Sequence, residues 1–285
     1  RSRSRIYTGD LLADGPLASL PGGTARLAIG GNVRREEFAT RSVNYVFSPR
    51  PEAGAPADYA RTIWAGFAEL NLPLFGPDNA RPGLDRLELS AALRTEYYDD
   101  VGSTTNPKIG LRWVPSDGIT LRGSWGTSFR APNLRELGAP AAVSQSVLPD
   151  ANGNQLIVLQ RSGGNADLAP EKARSWTVGL DLEPRSLAGF RASLTAFQTI
   201  FSRRIDLPAL RNFSRALVDT SLAPFVQFVT PASNASDRAL VETLLAQAGG
   251  VGSTPVDAIA AIVDTRYVNT GRVDVAGGDL DLAYA

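Results

Sequence analysis

Histidine, cysteine and methionine are all absent from this sequence. Without cysteine there is no disulfide, no zinc–thiolate site and no cysteine nucleophile. Without histidine the commonest general base and metal ligand is missing, and with it any Ser-His-Asp triad. Without methionine the chain does not open at an initiator codon, so it reads as a piece of a longer protein. Its first residues, 1–12, hold no apolar core long enough for a signal peptide. Lysine occurs only at Lys108 and Lys172; every other basic side chain is arginine. No charge of one sign prevails, because 29 basic and 29 acidic residues cancel, and no bulk field draws the chain to nucleic acid. No run approaches 18 apolar residues, which excludes a membrane-spanning helix. A membrane barrel stays open, since its strands alternate and its average hydropathy is ordinary. The 285 residues are enough for one large all-β domain or two ordinary ones.

What is present is alternation. From Asn106 to Leu137 the chain reads as two strands around the turn cluster Pro115-Ser-Asp-Gly118. Ile109, Leu111 and Trp113 share one face of the first strand, with Lys108 and Arg112 on the other. In the second strand Ile119, Leu121, Trp125 and Phe129 oppose Thr120, Arg122, Ser124, Ser128 and Arg130, and Pro132 stops the run. Residues 84–98 alternate most cleanly: Leu87, Leu89, Leu93 and Tyr97 against Arg86, Glu88, Arg94 and Glu96. Further strands are expected over 3–12, 24–38, 61–72, 174–183, 190–205, 266–275 and 279–285, with a tight turn at 276–278. Helices are expected over 237–247, capped by Ser236, and from Thr254-Pro255 to Ile262.

Loop lengths sort themselves. Taken in order the connections are 13–23, 39–60, 73–83, 99–105, 115–118, 131–172, 184–189, 206–264 and 276–278. Assigned alternately to two ends, the long ones (39–60, 131–172 and 206–264) all fall at the same end. Short turns on one side and long loops on the other is the asymmetry of an outer-membrane barrel. The strands run to about 10–15 residues, enough for a tilted strand to cross the hydrocarbon, which takes about 9–11. Trp113, Trp125, Phe129, Tyr97, Tyr98 and Trp176 sit near strand ends, where an interfacial girdle belongs.

Four segments carry a family resemblance. SFRAPNLREL (128–137, after SWGT) resembles a barrel motif of TonB-dependent outer-membrane receptors. NADLAPEK (165–172) is similar to that family's "NP-x-L-x-PE-x" element, with Ala166 in place of proline. NTGRVDVAGGDLDL (269–282) resembles its "N-x-G" strand, and FAELNLP (67–73) a mid-barrel strand. The resemblance implies an antiparallel transmembrane β-barrel, part of a 22-stranded wall, to which this chain brings about nine or ten strands plus long outer loops with short helices. It implies one partial barrel domain over 1–285, with the plug domain and the C-terminal strands lying elsewhere. It implies TonB-coupled uptake of a scarce nutrient of the ferric siderophore, haem, cobalamin or oligosaccharide class across the outer membrane. The implied partners are the TonB complex, the plug, outer-membrane lipid and the nutrient. No bond chemistry, catalytic residue, cofactor or nucleic acid is implied. An open sheet edge is costly in lipid, so the segment alone is expected to aggregate or stay unfolded.

The polar faces supply the candidate site. Arg94, Glu96, Lys108, Arg112, Arg122 and Arg130, with Asn133 and Glu136 just beyond the strand, are expected to face the lumen and meet substrate or plug. For any one of them an internal ion pair on a solvated wall is the favoured reading. Asp99-Asp100 is a candidate cation site or a loop tip. Gly163-Gly164 and Gly249–Gly252 do not follow a strand into a helix, so nucleotide binding has no support. Glu36-Glu37 is a carboxylate pair without a cleft-forming pattern, which leaves glycoside hydrolysis unsupported. A passive porin-like barrel and a soluble all-β carbohydrate-binding module are the other readings. The four motifs speak against the first, and the segregated loops against the second. With no soft ligand in the chain, a chelated or organic substrate fits better than a bare transition metal.

Overall fold

The structure is a computed structural model that describes residues 2–41, 43–44, 52–53, 56–247 and 254–285. In chain order its elements begin with β1 (Ser2–Leu20), β2 (Gly23–Thr40), the two-residue β3 (Val43–Asn44) and β4 (Glu52–Ala53), and β5 (Ala57–Phe75). β6 (Arg86–Tyr98), β7 (Gly102–Ser116) and β8 (Ile119–Arg130) follow. Helix α1 (Leu134–Gly138) precedes β9 (Ala142–Pro149), β10 (Gln155–Ser162), β11 (Glu171–Leu182) and β12 (Phe190–Ser202). Then come β13 (Ile205–Asp206), α2 (Pro208–Arg211), β14 (Val226–Phe228), α3 (Ala235–Gln247), β15 (Ile259–Asp264), β16 (Val268–Asn269) and β17 (Val273–Tyr284).

Nine of these strands form one antiparallel sheet in the order β1-β2-β5-β6-β7-β8-β11-β12-β17. Apolar residues line up in rows across one face. Leu87, Trp113, Leu121, Leu180, Leu194 and Leu280 stand opposite one another across six strands. Their neighbours Ile109, Leu111, Trp125, Trp176 and Val178 remain exposed. The ten residue steps from Leu87 to Tyr97, at about 3.3 Å each and a tilt near 45°, span about 23 Å. That is close to the apolar band of about 25 Å on an outer-membrane barrel. The opposite face carries most of the charges; Arg35, Glu37, Lys172 and Arg174, on the apolar face, all lie toward the long-loop ends of their strands.

Several expectations change. β1 runs on through the stretch read as a turn, to Leu20. Pro16 is tolerated because β1 lies at the sheet edge and its register shifts between Pro16 and Ala18. The expected turn at 276–278 is absent: β17 passes straight through it. Gly277 lies opposite Phe197, and a Cβ there would come within 2.8 Å of that ring. Gly30 opposite Phe67 is the same arrangement, at 2.5 Å. These glycines make room for a cross-strand phenyl ring rather than for a bend. Tyr98 leaves the proposed girdle. It is buried on the polar face, where its hydroxyl donates to Glu96 Oε2 at 2.8 Å and Arg61 stacks over its ring at 5.1 Å. Phe129 departs too, meeting Tyr98 edge-on at 5.5 Å in a small core with Ile63 and Ala131.

The reason for Phe129 is a seam. The β7–β8 ladder runs from Ser116↔Ile119 to Lys108↔Gly126 and stops. β7 continues to Gly102 on β6, and β8 to Arg130 on β11. Pro107, which has no N–H to donate, sits where the ladder ends. Beyond it the end of β8 is free to twist.

The described parts of two long connections, those after β8 and after β12, are not loops in the ordinary sense. β9 and β10, from the segment after β8, join β14 and β15, from the segment after β12, in one four-stranded sheet ordered β14-β15-β10-β9. β10 and β15 pair in parallel. Val143, Leu159, Val241, Leu244 and Ile259 pack one face under α3. Leu148, Val158, Ala209, Leu222 and Val263 pack the other. The expected helix over 237–247 is present, but its cap is Asn234, whose Oδ1 accepts from Ser236 N and Asp237 N. The expected helix from Thr254-Pro255 to Ile262 is one 3₁₀ turn, Val256–Ala258, leading into β15. Ile259, Ile262 and Val263 are β-branched and buried, which suits a central strand. Pro49, Pro51, Gly54, Gly249, Gly250 and Gly252 lie outside the described residues.

Candidate functional site

The polar face of the sheet is built in tiers. Nearest the short turns, Glu88 forms ion pairs with both Arg86 and Arg112, each at 3.7 Å. Beside them Arg122 bridges three strands. Its Nε pairs with Asp181 Oδ2 at 2.7 Å, and its Nη2 reaches Asp181 Oδ1 at 2.9 Å, Ser193 Oγ at 3.2 Å and Thr195 Oγ1 at 3.3 Å. Gly179 makes this reach possible, because a Cβ there would stand 3.0 Å from the guanidinium carbon. Half-way up, Arg94 pairs with Glu96, which is held by Tyr98 as well and is only 8% exposed. Lys108 stands across from them on β7, exposed, and has no side-chain partner among the described residues. Lys108, Arg94, Glu96, Asn106 and Phe67 line a cleft of about 340 Å³.

At the long-loop end the charged groups are used to fasten segments together. Arg130 makes a two-pronged pair with Glu171, Nε to Oε2 at 2.8 Å and Nη2 to Oε1 at 3.0 Å. Glu171 Oε1 also accepts from the Ile205 amide at 2.7 Å. A third arm joins Arg130 Nη1 to Glu136 Oε2 at 3.1 Å. Glu136 and Asn133 close a reciprocal capping box on α1, Asn133 N to Glu136 Oε2 and Glu136 N to Asn133 Oδ1, both 2.8 Å. Asn269 completes the fastening. It accepts from Ala169 N and donates to Ala169 O and Arg203 O, all at 2.8 Å. Asn165 donates to Tyr267 O at 2.9 Å. Four segments, around 130–136, 165–171, 203–205 and 267–269, are thus tied into one rim.

The model of the "TonB dependent receptor-like, beta-barrel" family matches residues 1–285. The chain belongs to this family. The iron-regulated outer membrane virulence protein of Vibrio cholerae is 27% identical over 189 residues, covering 65% of this chain and 24% of that protein. The fold is shared with the siderophore receptor PirA from Pseudomonas aeruginosa (18% identity, TM-score 0.57, 99% of this chain and 40% of that one). It is shared with the ferric enterobactin receptor PfeA of Pseudomonas aeruginosa in complex with enterobactin (17%, TM-score 0.62, 98% and 33%). The Serratia marcescens hemophore receptor HasR, in complex with HasA and heme, is similar too (15%, TM-score 0.55, 100% and 40%). The chain therefore spans about a quarter of that curated relative and a third to two fifths of those structures. As TonB-dependent receptor barrel sequence it resides in the outer membrane, and its apolar face is the lipid face.

Within that barrel wall the eight predicted residues divide. Arg94, Glu96, Lys108, Arg112 and Arg122 lie together on the polar face of the sheet. Arg130 stands at its rim, and Asn133 and Glu136 are taken up in capping α1, with Glu136 8% exposed. Lys108 alone among the eight has its charged atoms uncommitted. Asp99 and Asp100 hold no cation site: Asp99 accepts from Thr62 N at 2.9 Å, and Asp100 pairs with Arg61 at 3.4 Å. Glu171 and Asn269 are the residues that pattern reading passed over. Both stand in the recognised motifs, which was the available signal.

In the outer layer Asp264 is pushed up by burial. The opposing hydrogen bonds and charge of Arg266, which contacts it at 2.6 Å, win, and its carboxyl lies below the usual range. Among the described residues no three His, Cys, Asp or Glu side chains are grouped to hold a metal ion.

Proposed function

We propose that this chain is wall and roof of a receptor for TonB-coupled uptake of iron carried in a chelate, a ferric siderophore or haem. The observation that carries this reading is the pairing of a charged lumenal wall with a folded layer built across two outer loops. A passive pore has no need of a roof with two hydrophobic cores. The names of the similar proteins, siderophore, enterobactin and hemophore receptors and an iron-regulated outer membrane protein, point to iron within the family's range. The donor set agrees. With no histidine, cysteine or methionine, the wall offers hard charge and hydroxyls, which bind the outside of a chelate rather than strip its metal.

In this mechanism the outer layer captures the chelate, and the uncommitted ammonium of Lys108, beside Arg94 at the 340 Å³ cleft, meets its anionic groups. The plug domain fills the lumen below, bearing on Arg86, Arg112 and Arg122, and further strands close the sheet at β1 and β17. TonB coupling then moves the plug and releases the chelate inward. The test is growth of a gene-deletion strain, complemented with the full-length receptor, on one iron source at a time. Uptake of at least one ferric siderophore or haem that vanishes when TonB is deleted is the expected result. Uptake that survives TonB deletion would identify a passive pore and overturn the proposal.

A further inference from the structure

We propose that the outer layer binds a small carboxylic acid with a compact apolar body, in a cleft between α3 and the β14 side of its four-stranded sheet. This site is separate from the lumenal cleft at Lys108. It holds about 210 Å³, below the roughly 300 Å³ at which sites for drug-sized ligands begin. The cleft exists because β14 is short. Its pairing with β15 covers Ala261 to Val263 and ends there, and Pro224 stands in the 3₁₀ segment Thr220–Phe225 just before it. Asp264 and, beside it on β10, Arg161 therefore reach past the last rung. Ile262 and Asp264 share a face of β15, the one that α3 covers. Leu240 and Leu244, one turn apart on α3, overhang it.

Floor and mouth differ in chemistry. Ile262 and Leu244 are buried, Phe225 and Leu240 half-buried, so the floor takes hydrocarbon. Arg161 stands at the mouth, its side chain 41% exposed. Its guanidinium approaches only Asp264 Oδ2, at 4.0 Å, too far for a hydrogen bond. Asp264 is already committed. Arg266 holds both its oxygens, with Nε at 3.0 and 3.1 Å and Nη2 at 2.6 Å. The fork of Arg161 thus keeps its donors open among the described residues. So does the side-chain amide of Gln227, which lines the same cleft. Two arginines against one aspartate leave a single net positive charge. That balances one carboxylate, whose two oxygens match a guanidinium fork. A phosphate dianion would stay half-neutralised beside Asp264. The apolar body fills the floor, which has room for a single ring. Arg161 belongs to one outer segment and α3 to the other, so the bound acid links the two.

The test uses the full-length receptor in lipid nanodiscs, with 4-fluorobenzoate followed by fluorine NMR. Line broadening by the parent receptor, reversed by unlabelled benzoate, is the expected result. Benzamide keeps the ring without the charge, and acetate keeps the charge without the ring. Each should compete about tenfold more weakly than benzoate, or worse. Arg161→Gln should weaken binding about tenfold or more, the worth of a hydrogen bond to a charged group. Leu240→Phe puts a protein ring into the cleft and should exclude the probe. Arg161 is half-exposed and its loss leaves Asp264 with Arg266, so Arg161→Gln keeps the layer folded and decides the matter even where Leu240→Phe does not fold. The proposal is overturned by the absence of reversible broadening, or by unchanged binding in Arg161→Gln. Competition by benzamide, acetate or inorganic phosphate as strong as by benzoate overturns it as well. Broadening that persists in a folded Leu240→Phe receptor would place the probe in the bilayer or at the lumenal arginines, and the proposal fails on that result also.

Discussion

Replacing Asn269 by alanine is expected to loosen the outer layer without breaching the barrel. The side-chain amide makes three hydrogen bonds of 2.8 Å, two to the Ala169 peptide groups and one to Arg203 O. An ordinary intramolecular bond is worth about 1 kcal/mol net. The two to Ala169 are half-buried and keep that value. Arg203 is exposed, so water takes over its carbonyl at little loss. The total is about 2 kcal/mol, or about a thirty-fold rise in the open population of the unit these bonds fasten. Hydrogen–deuterium exchange on the full-length receptor in detergent reads this directly. Peptides covering 131–170 should exchange about thirty-fold faster in Asn269→Ala, while the β5–β6 and β11–β12 ladders keep their protection. Asn269→Asp should behave worse than alanine, because it sets a carboxylate against two carbonyl oxygens. Unchanged exchange in 131–170 would refute the reasoning, since it would mean that Arg130–Glu171 and the layer's own core already hold the rim. Acceleration of the wall strands as well would refute it differently, by making Asn269 part of the barrel's global stability.

Other consequences follow from the same geometry. Gly277→Ala should destabilise by about 1–3 kcal/mol through overpacking, and Phe197→Ala should restore most of it. For Gly30→Ala, Phe67→Ala should restore only part, because a Cβ at Gly30 also meets Leu11 O at 2.7 Å; thermal midpoints of both double-mutant pairs check this. Arg122→Ala should cost about 1 kcal/mol, a modest value because the pair with Asp181 is partly exposed, and Arg122→Lys should recover little of it, since an ammonium cannot span three strands with a two-pronged contact. The depressed carboxyl of Asp264 contributes stability that is present above about pH 3.9, its ordinary value, and is lost as pH falls through the lower folded value. Arg266→Gln removes the main group that lowers it, so the variant should open to protease more readily at neutral pH and lose less further stability on acidification than the parent; an unchanged acid-dependent loss would count against the pairing.

The wall was legible because a strand repeats every two residues and a barrel wall has one lipid face. Leu87 to Tyr97 alternate without a break, and their register in the sheet follows from that alone. What alternation cannot show is a residue whose side chain is chosen for a neighbour on another strand. Gly277-Gly278 looks like a turn in one dimension, and the ring of Phe197, some eighty positions away, explains it only in three. Tyr98 reads as one more interfacial aromatic until Arg61 and Glu96 close over it. The outer layer was least legible. β10 and β15 are apolar runs without periodicity, buried on both faces, and such runs do not declare whether they are strand or helix. Their pairing is parallel and joins segments about a hundred residues apart, for which no local signal exists. The candidate site was legible as a set of charges but not as a set of partnerships. Lys108 and Arg94 look alike in sequence, yet one is free and the other is paired.

The parallel β10–β15 pair has a mechanical consequence for any receptor built on this wall. Two outer segments that were independent hairpins would open and close separately, each on the hinge of its own strand pair. Here Val158, Leu159, Ala261 and Val263, all at or near zero exposure, sit at the centre of a sheet to which both segments contribute. Neither segment can leave without exposing the other's core. The layer therefore moves as one body or unfolds as one body. The connections available for rigid motion are those where it meets the wall, at Arg130–Glu171 and Asn269–Ala169. On the proposed function, a chelate would have to be admitted by displacement at those two fastenings or through space beside them, and not by the flexing of a single loop. The residues that fasten the rim are consequently the ones whose replacement should change the rate of ligand entry while leaving the lumenal wall intact.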